Sequence, residues 1–94
     1  MPHGKAHGLA KICNAMGNPI RFRILALLGE GICNVNDLVR KLDLEQSKVS
    51  KHLAVLLAAG LVKYTADGRR RCYDLERPKT VRRILALFQK LREE

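Results

Sequence analysis

Apolar residues recur at helical spacing in five stretches of the chain and alternate in strand-like fashion in one region. Residues 5–16, KAHGLAKICNAM, predict a short helix with Leu9, Ile12, Cys13 and Met16 on one face and Gly17 as its stop. In NPIRFRILALLGEG, Asn18 stands where an N-cap belongs and Pro19 at the first helical position, where a missing N–H costs nothing. Ile20, Ile24, Leu27 and Leu28 give the stripe of this second helix, and Phe22 and Leu25 widen it, so it is expected to be largely buried before Gly29 and Gly31 end it. In ICNVNDLVRKLDL, Asn34 caps a third helix and Asp37 adds a negative charge to its first turn. Its stripe is Val35, Leu38, Val39 and Leu42, with Asp43 as the turn residue. A fourth helix runs from near Glu45 to Gly60, a C′ glycine.

The pattern then changes. LVKYTADGRRRCYDL predicts a β-hairpin: Leu61 to Ala66, an Asp67-Gly68 turn, and Arg70 to Leu75. Pro78 opens a last helix over residues 78–92, with Val81, Ile84, Leu85, Phe88 and Leu91 along one face. Two helices joined by a tight turn and followed by a basic two-stranded wing make a winged helix-turn-helix, mostly α, in the order α-α-α-α-β-β-α. One domain over residues 1–94 is expected, with residues 1–7 as a flexible tail.

The fourth helix is unusual in its first two turns. At about 100° per residue, Val49, Leu53 and Leu56 share a narrow core-side arc flanked by His52 and Leu57. Ser47, Ser50, Lys51 and Ala54 fall opposite, and Gln46, Ser47, Lys48, Ser50 and Lys51 cluster in the N-terminal half. A small, hydrogen-bonding, positive face at a helix N-terminus suits base edges and phosphates. An ordinary solvated face accounts for Lys48 and Lys51, but less well for two serines inside a helix or for the arginines at the hairpin. His52, at the edge of the core arc, is expected to pack or touch phosphate rather than ligate metal.

Composition sharpens this picture. The net charge of +9, from 18 Lys and Arg against 9 Asp and Glu, favours a polyanion, double-stranded DNA ahead of a membrane surface. With 94 residues and only 4% aromatics the core is small, and the apolar stripe of residues 81–91, together with Leu9 and Ile12, has no evident partner within the chain. A homodimer is therefore expected, its two recognition helices about one DNA turn, roughly 34 Å, apart. MPHGKAHGLAK has no apolar signal region, and LAVLLAAGLV is too short to cross a bilayer. Three cysteines without framework spacing point to a reducing, cytoplasmic setting.

The run AMGNPIRFRILALLGEG…NVNDLVRKLDLEQSKVSKHLAVLLAAGLVKYTADGRRRCYDL resembles the ArsR/SmtB family of bacterial and archaeal winged-helix repressors over about residues 8 to 76. The resemblance implies a homodimer paired through its first and last helices, an inverted-repeat operator, and repression relieved by a ligand. By position, Gln46, Ser47, Ser50, Lys51 and His52 match the family's DNA-reading helix, and Arg69, Arg70 and Arg71 its wing. Metal sensors of this family often carry Cys-x-Cys at the start of the third helix, where this chain has Asn34 and Asn36, or Asp, His and Glu ligands on the last helix, which here lacks both His and Asp. Thiol-based redox relatives carry cysteines on the second and last helices; this chain has none on either.

What remains is Cys13, Cys33 and Cys72. In a dimer, Cys13 of one chain and Cys33 of the other are candidates for a soft thiolate site for As(III), Hg(II), Cd(II) or Zn(II). Redox or sulfur sensing, and regulation without an effector, are the other readings. Cys13 as a small buried hydrophobe and Cys72 as a packing residue of the wing strand are the plain alternatives. An enzyme is not expected: there is no glycine-rich phosphate loop, no paired carboxylates and no oriented Cys–His pair. An architectural protein coating DNA, or an interaction module using the last helix, are the remaining rivals, and scarce aromatics disfavour RNA.

Overall fold

The computed structural model describes residues 3–94, which form a winged helix-turn-helix: α1 (His3–Met16), α2 (Pro19–Gly29), α3 (Val35–Leu42), α4 (Gln46–Ala58), β1 (Val62–Asp67), β2 (Arg70–Leu75) and α5 (Pro78–Glu93). The chain is helical from His3, inside the stretch expected to be a flexible tail; residues 1 and 2 of that tail lie outside the described residues. No helix among the described residues is long and apolar enough to cross a membrane.

Local chemistry sets most boundaries. Asn18 Oδ1 accepts from the Ile20 and Arg21 amides at 2.9 and 3.2 Å, and Pro19 follows it, so α2 starts with its first amides satisfied. Asn34 Oδ1 accepts from the Asp37 amide at 2.8 Å while its Nδ2 donates to the Asp37 carboxylate, a reciprocal clamp on the first turn of α3. Asp43 ends α3 in the left-handed conformation, φ 54°, and Gly60 follows α4 at φ 76°.

The hairpin departs from expectation by one residue. Asp67 pairs with Arg70, so the loop is Gly68-Arg69 and not Asp67-Gly68. Only Gly68 of the two has positive φ, 63°, the II′ pattern with glycine first, which replaces the I′ turn that Asp-Gly favours. Placing Asp67 opposite Arg70 puts opposite charges across the strands. Leu61 stays outside β1, its amide bonded to the Leu56 carbonyl at 3.0 Å and its carbonyl to the Glu76 amide at 2.9 Å. Arg77 is left-handed at φ 53°, immediately before Pro78.

The core lies where α2, α3, α4 and the base of the hairpin converge: Ile24, Leu25, Leu38, Val49, Leu53, Leu56 and Leu75 are fully buried. α1 closes one side with Ala15 and Met16, α5 another with Val81, and α5 is pinned to the end of α2 by Arg82 donating to the Gly29 carbonyl at 3.0 Å.

Candidate nucleic-acid interface

The arc on α4 divides as its periodicity predicts. Val49, Leu53 and Leu56 are buried, His52 and Leu57 half-buried, and Gln46, Ser47, Lys48, Ser50, Lys51 and Ala54 exposed. Glu45 at the N-cap makes no side-chain hydrogen bond to the helix, so the first amides of α4 and the positive end of its dipole face outward uncapped. Among the described residues no side-chain hydrogen bond ties down Gln46, Ser47, Lys48, Ser50 or Lys51.

His52 is held differently. Arg21 on α2 donates from Nε to the Ala15 carbonyl at 2.7 Å and from a terminal nitrogen to the Asn14 carbonyl at 3.2 Å, and its other terminal nitrogen lies 3.3 Å from His52 Nδ1. A guanidinium only donates, so this contact assigns Nδ1 as an acceptor and the ring as neutral. Burial first, and the Arg21 charge second, hold the His52 pKa below its ordinary value. Unlike Ser47 and Lys51, the ring is turned toward the protein, where it couples α4 to the end of α1. Arg21 was missed in the sequence, although a cation on a helix expected to be largely buried is the signal that finds it.

The three wing arginines also differ. The Arg71 guanidinium lies 4.4 Å from the Tyr64 ring centroid and donates to the Tyr73 hydroxyl at 3.5 Å, while the two tyrosine rings pack 5.5 Å apart. Arg69 in the loop and Arg70 at the start of β2 are exposed. Between wing, α4 and the start of α3 runs an open cleft of about 540 Å³ whose lining includes Gln46, Ser50, Arg69 and Arg70. Asn36 and Arg40 of α3 line it too, and were not anticipated. The signal that the sequence offered is their place off the apolar stripe of α3.

The cysteines are distributed otherwise than expected. Cys13 is exposed on α1 rather than buried, and Cys72 is exposed on β2 rather than packed. Cys33 is half-buried in the loop before α3, and shares a cleft of about 160 Å³ with Cys72. The neighbouring Cys72 thiol, then burial, then nearby negative charge push the Cys33 thiol above its ordinary pKa, opposite to the lowering that a position near a helix N-terminus suggests. Among the described residues no group of three or more His, Cys, Asp or Glu side chains gathers.

Apolar side chains also stand exposed on α1 and on α5. Leu9, Leu87, Phe88 and Leu91 are exposed, and Ile12, Ile84 and Leu85 half-buried. Phe88 stacks on Phe22 of α2 with ring centroids 6.2 Å apart. Val81, expected on an outward face, is only 3% exposed and belongs to the chain's own core.

Helix-turn-helix, uncapped recognition helix and arginine-tipped wing define a DNA-binding transcription regulator of the winged-helix class. Residues 18–64 match the family described as bacterial regulatory protein, arsR family. The chain belongs to that ArsR family. It is 38% identical over 81 residues to the HTH-type transcriptional regulator CmtR of Mycobacterium tuberculosis, covering 86% of this chain and 69% of the relative. The NMR structure of that protein, a cadmium metal sensor, superposes with a TM-score of 0.72, covering 85% of this chain and 83% of that one. A homodimeric winged helix-turn-helix DNA-binding domain from Mycobacterium bovis has a TM-score of 0.86 at 28% identity, covering 100% of this chain and 89% of that one. HlyU from Vibrio cholerae has a TM-score of 0.83 at 28% identity, covering 99% of this chain and 100% of that one.

Proposed function

We propose that this chain is a homodimeric, sequence-specific repressor that reads an inverted-repeat operator in double-stranded DNA and is released by a thiol-reactive effector. The observation that carries the reading is the shared cleft between α4 and the wing, with Gln46 and Ser50 on one side and Arg69 and Arg70 on the other, while Ser47, Lys48 and Lys51 stand exposed on the same helix. The helix face reads base edges, and the wing arginines grip phosphate. Arg71 and His52 hold these two elements in place. The exposed apolar side chains of Leu9 on α1 and of Leu87, Phe88 and Leu91 on α5 support the dimer, as does the homodimeric Mycobacterium bovis domain.

The donor set bears on the effector. Cys33 and Cys72 supply two thiols from one chain, enough for a two-coordinate soft ion such as Hg(II). As(III), Cd(II) and Zn(II) take further donors, which Cys13 of a second protomer would supply. That CmtR senses cadmium supports a metal effector; the pairing of two thiols equally supports a redox one.

Fluorescence anisotropy of the reduced protein on DNA from upstream of its own gene tests the reading. Specific binding is expected, with release by one of As(III), Hg(II), Cd(II) or Zn(II) in the wild type but not in a triple Cys→Ser variant. Equal affinity for unrelated DNA would leave an architectural protein instead. HlyU is named a transcriptional activator, so a reporter in a deletion strain decides the sign: a repressor's target rises when the gene is removed.

A further inference from the structure

Behind the wing, the loop between α2 and α3 runs alongside β2, where the Tyr73 amide donates to the Cys33 carbonyl at 2.8 Å. This bond holds Tyr73, the residue next to Cys72, directly against Cys33, and a disulfide asks that the two cysteine Cα atoms lie about 4.4–6.8 Å apart. Cys33 and Cys72 both open onto the same small cleft, with Leu28 and Ile32 beside them. Both are free thiols; Cys72 is exposed and Cys33 half-buried.

We propose that Cys33 and Cys72 form a reversible intrachain disulfide on exposure to a hydroperoxide, clamping the root of the wing to the loop that opens the helix-turn-helix. The exposed Cys72 thiolate attacks the peroxide oxygen, the O–O bond breaks, and the alkoxide or hydroxide leaves to take up a proton. The Cys33 sulfur then displaces water from the resulting sulfenic acid. In sum, two thiols and one hydroperoxide give one disulfide, one alcohol or water from the leaving group, and one further water.

The clamp reaches the DNA-facing surface through Tyr73. It is the next residue after Cys72, its hydroxyl accepts from Arg71, its ring packs on Tyr64, and it lines the cleft below the recognition helix as well as the thiol cleft. A bond at Cys72 thus changes how the wing sits against α4. This consequence rests on the DNA-binding reading; the disulfide does not.

The full-length reduced chain is treated with hydrogen peroxide, digested and mapped by mass spectrometry. The expected result is a cross-link between the Cys33 and Cys72 peptides with loss of two hydrogens, reversed by dithiothreitol. It should persist in Cys13→Ser and vanish in Cys33→Ser and Cys72→Ser. Cys33 and Cys72 left unlinked, or Cys13 joining two chains in their place, would overturn the proposal. On operator DNA the oxidised chain should bind about tenfold more weakly, within the ordinary range of coupling between sites; complete disulfide with unchanged affinity would overturn the clamp. Loss of operator preference in the reduced chain would instead sink the DNA-binding reading, and the peptide map would still decide the disulfide.

Discussion

The helices in the middle of the chain and those at its two ends are built from the same residue types, yet the residues meet different fates. In α2, α3 and α4 the stripes converge, and Ile24, Leu25, Leu38, Val49, Leu53 and Leu56 are shut away from water. In α5, Leu87 and Leu91 keep 61% and 69% of their surface exposed. α1 carries Gly4 and Gly8 in its helix, each about 1 kcal/mol less favourable than alanine, and all of residues 4–11 are exposed. An apolar stripe at helical spacing states that a helix has a side to hide. It does not state what hides it: the middle helices cover one another, and the terminal helices present a surface suited to a second copy.

The largest effect belongs to the middle. Leu53→Ala should lower the unfolding free energy by about 2–5 kcal/mol in a denaturant titration, because a fully buried leucine leaves a cavity among rigid neighbours. A loss under about 1 kcal/mol would erase the distinction between the two regions. The ends should respond in the opposite sense. Leu87→Asp with Leu91→Asp should leave the circular dichroism spectrum and monomer fold intact while weakening self-association by about 2 kcal/mol or more in sedimentation equilibrium. If the double variant unfolds instead, those residues cover their own domain.

Two smaller effects sharpen the comparison. Asn18→Ala removes the side-chain cap of α2 and should cost about 1 kcal/mol of stability, measurable by the same titration. His52 gives the smallest effect. Its folded pKa lies below its unfolded value of 6.5, so the unfolded chain takes up a proton first as pH falls. Its stabilising contribution is complete above that value and is lost as pH drops from there toward the lowered folded pKa. The melting temperature should therefore fall between about pH 7.5 and about pH 5.5, less so in His52→Gln. An identical slope in the variant would place the pH dependence elsewhere.

What the sequence made legible was what neighbours in the chain determine. Asn18 before Pro19, Asn34 before Asp37, and the turn at Asp43 are local arrangements whose energetics depend on few other residues. The division of α4 into a core arc and an outward polar face was legible for the same reason. The hairpin loop was misplaced by one residue because Asp67 pairs with Arg70 across the strands, which turn chemistry alone does not weigh. Arg77 in the left-handed region carries no local signal at all. The Arg21–His52 contact and the Cys33–Cys72 pair lie between residues far apart in sequence, and only the packing of α2 on α4 and of the α2–α3 loop on β2 creates them.

On the function proposed here, two copies of this chain read two half-sites through α4 and the wing. The most direct measurement is binding stoichiometry and affinity on synthetic inverted repeats whose half-site centres are one helical turn, about 10 base pairs, apart, against duplexes with about 5 base pairs inserted. The account predicts two protomers per duplex on the first, and an affinity lower by at least about tenfold on the second, since half a turn carries one half-site to the opposite face. Equal affinity for both, and for scrambled DNA, would contradict it.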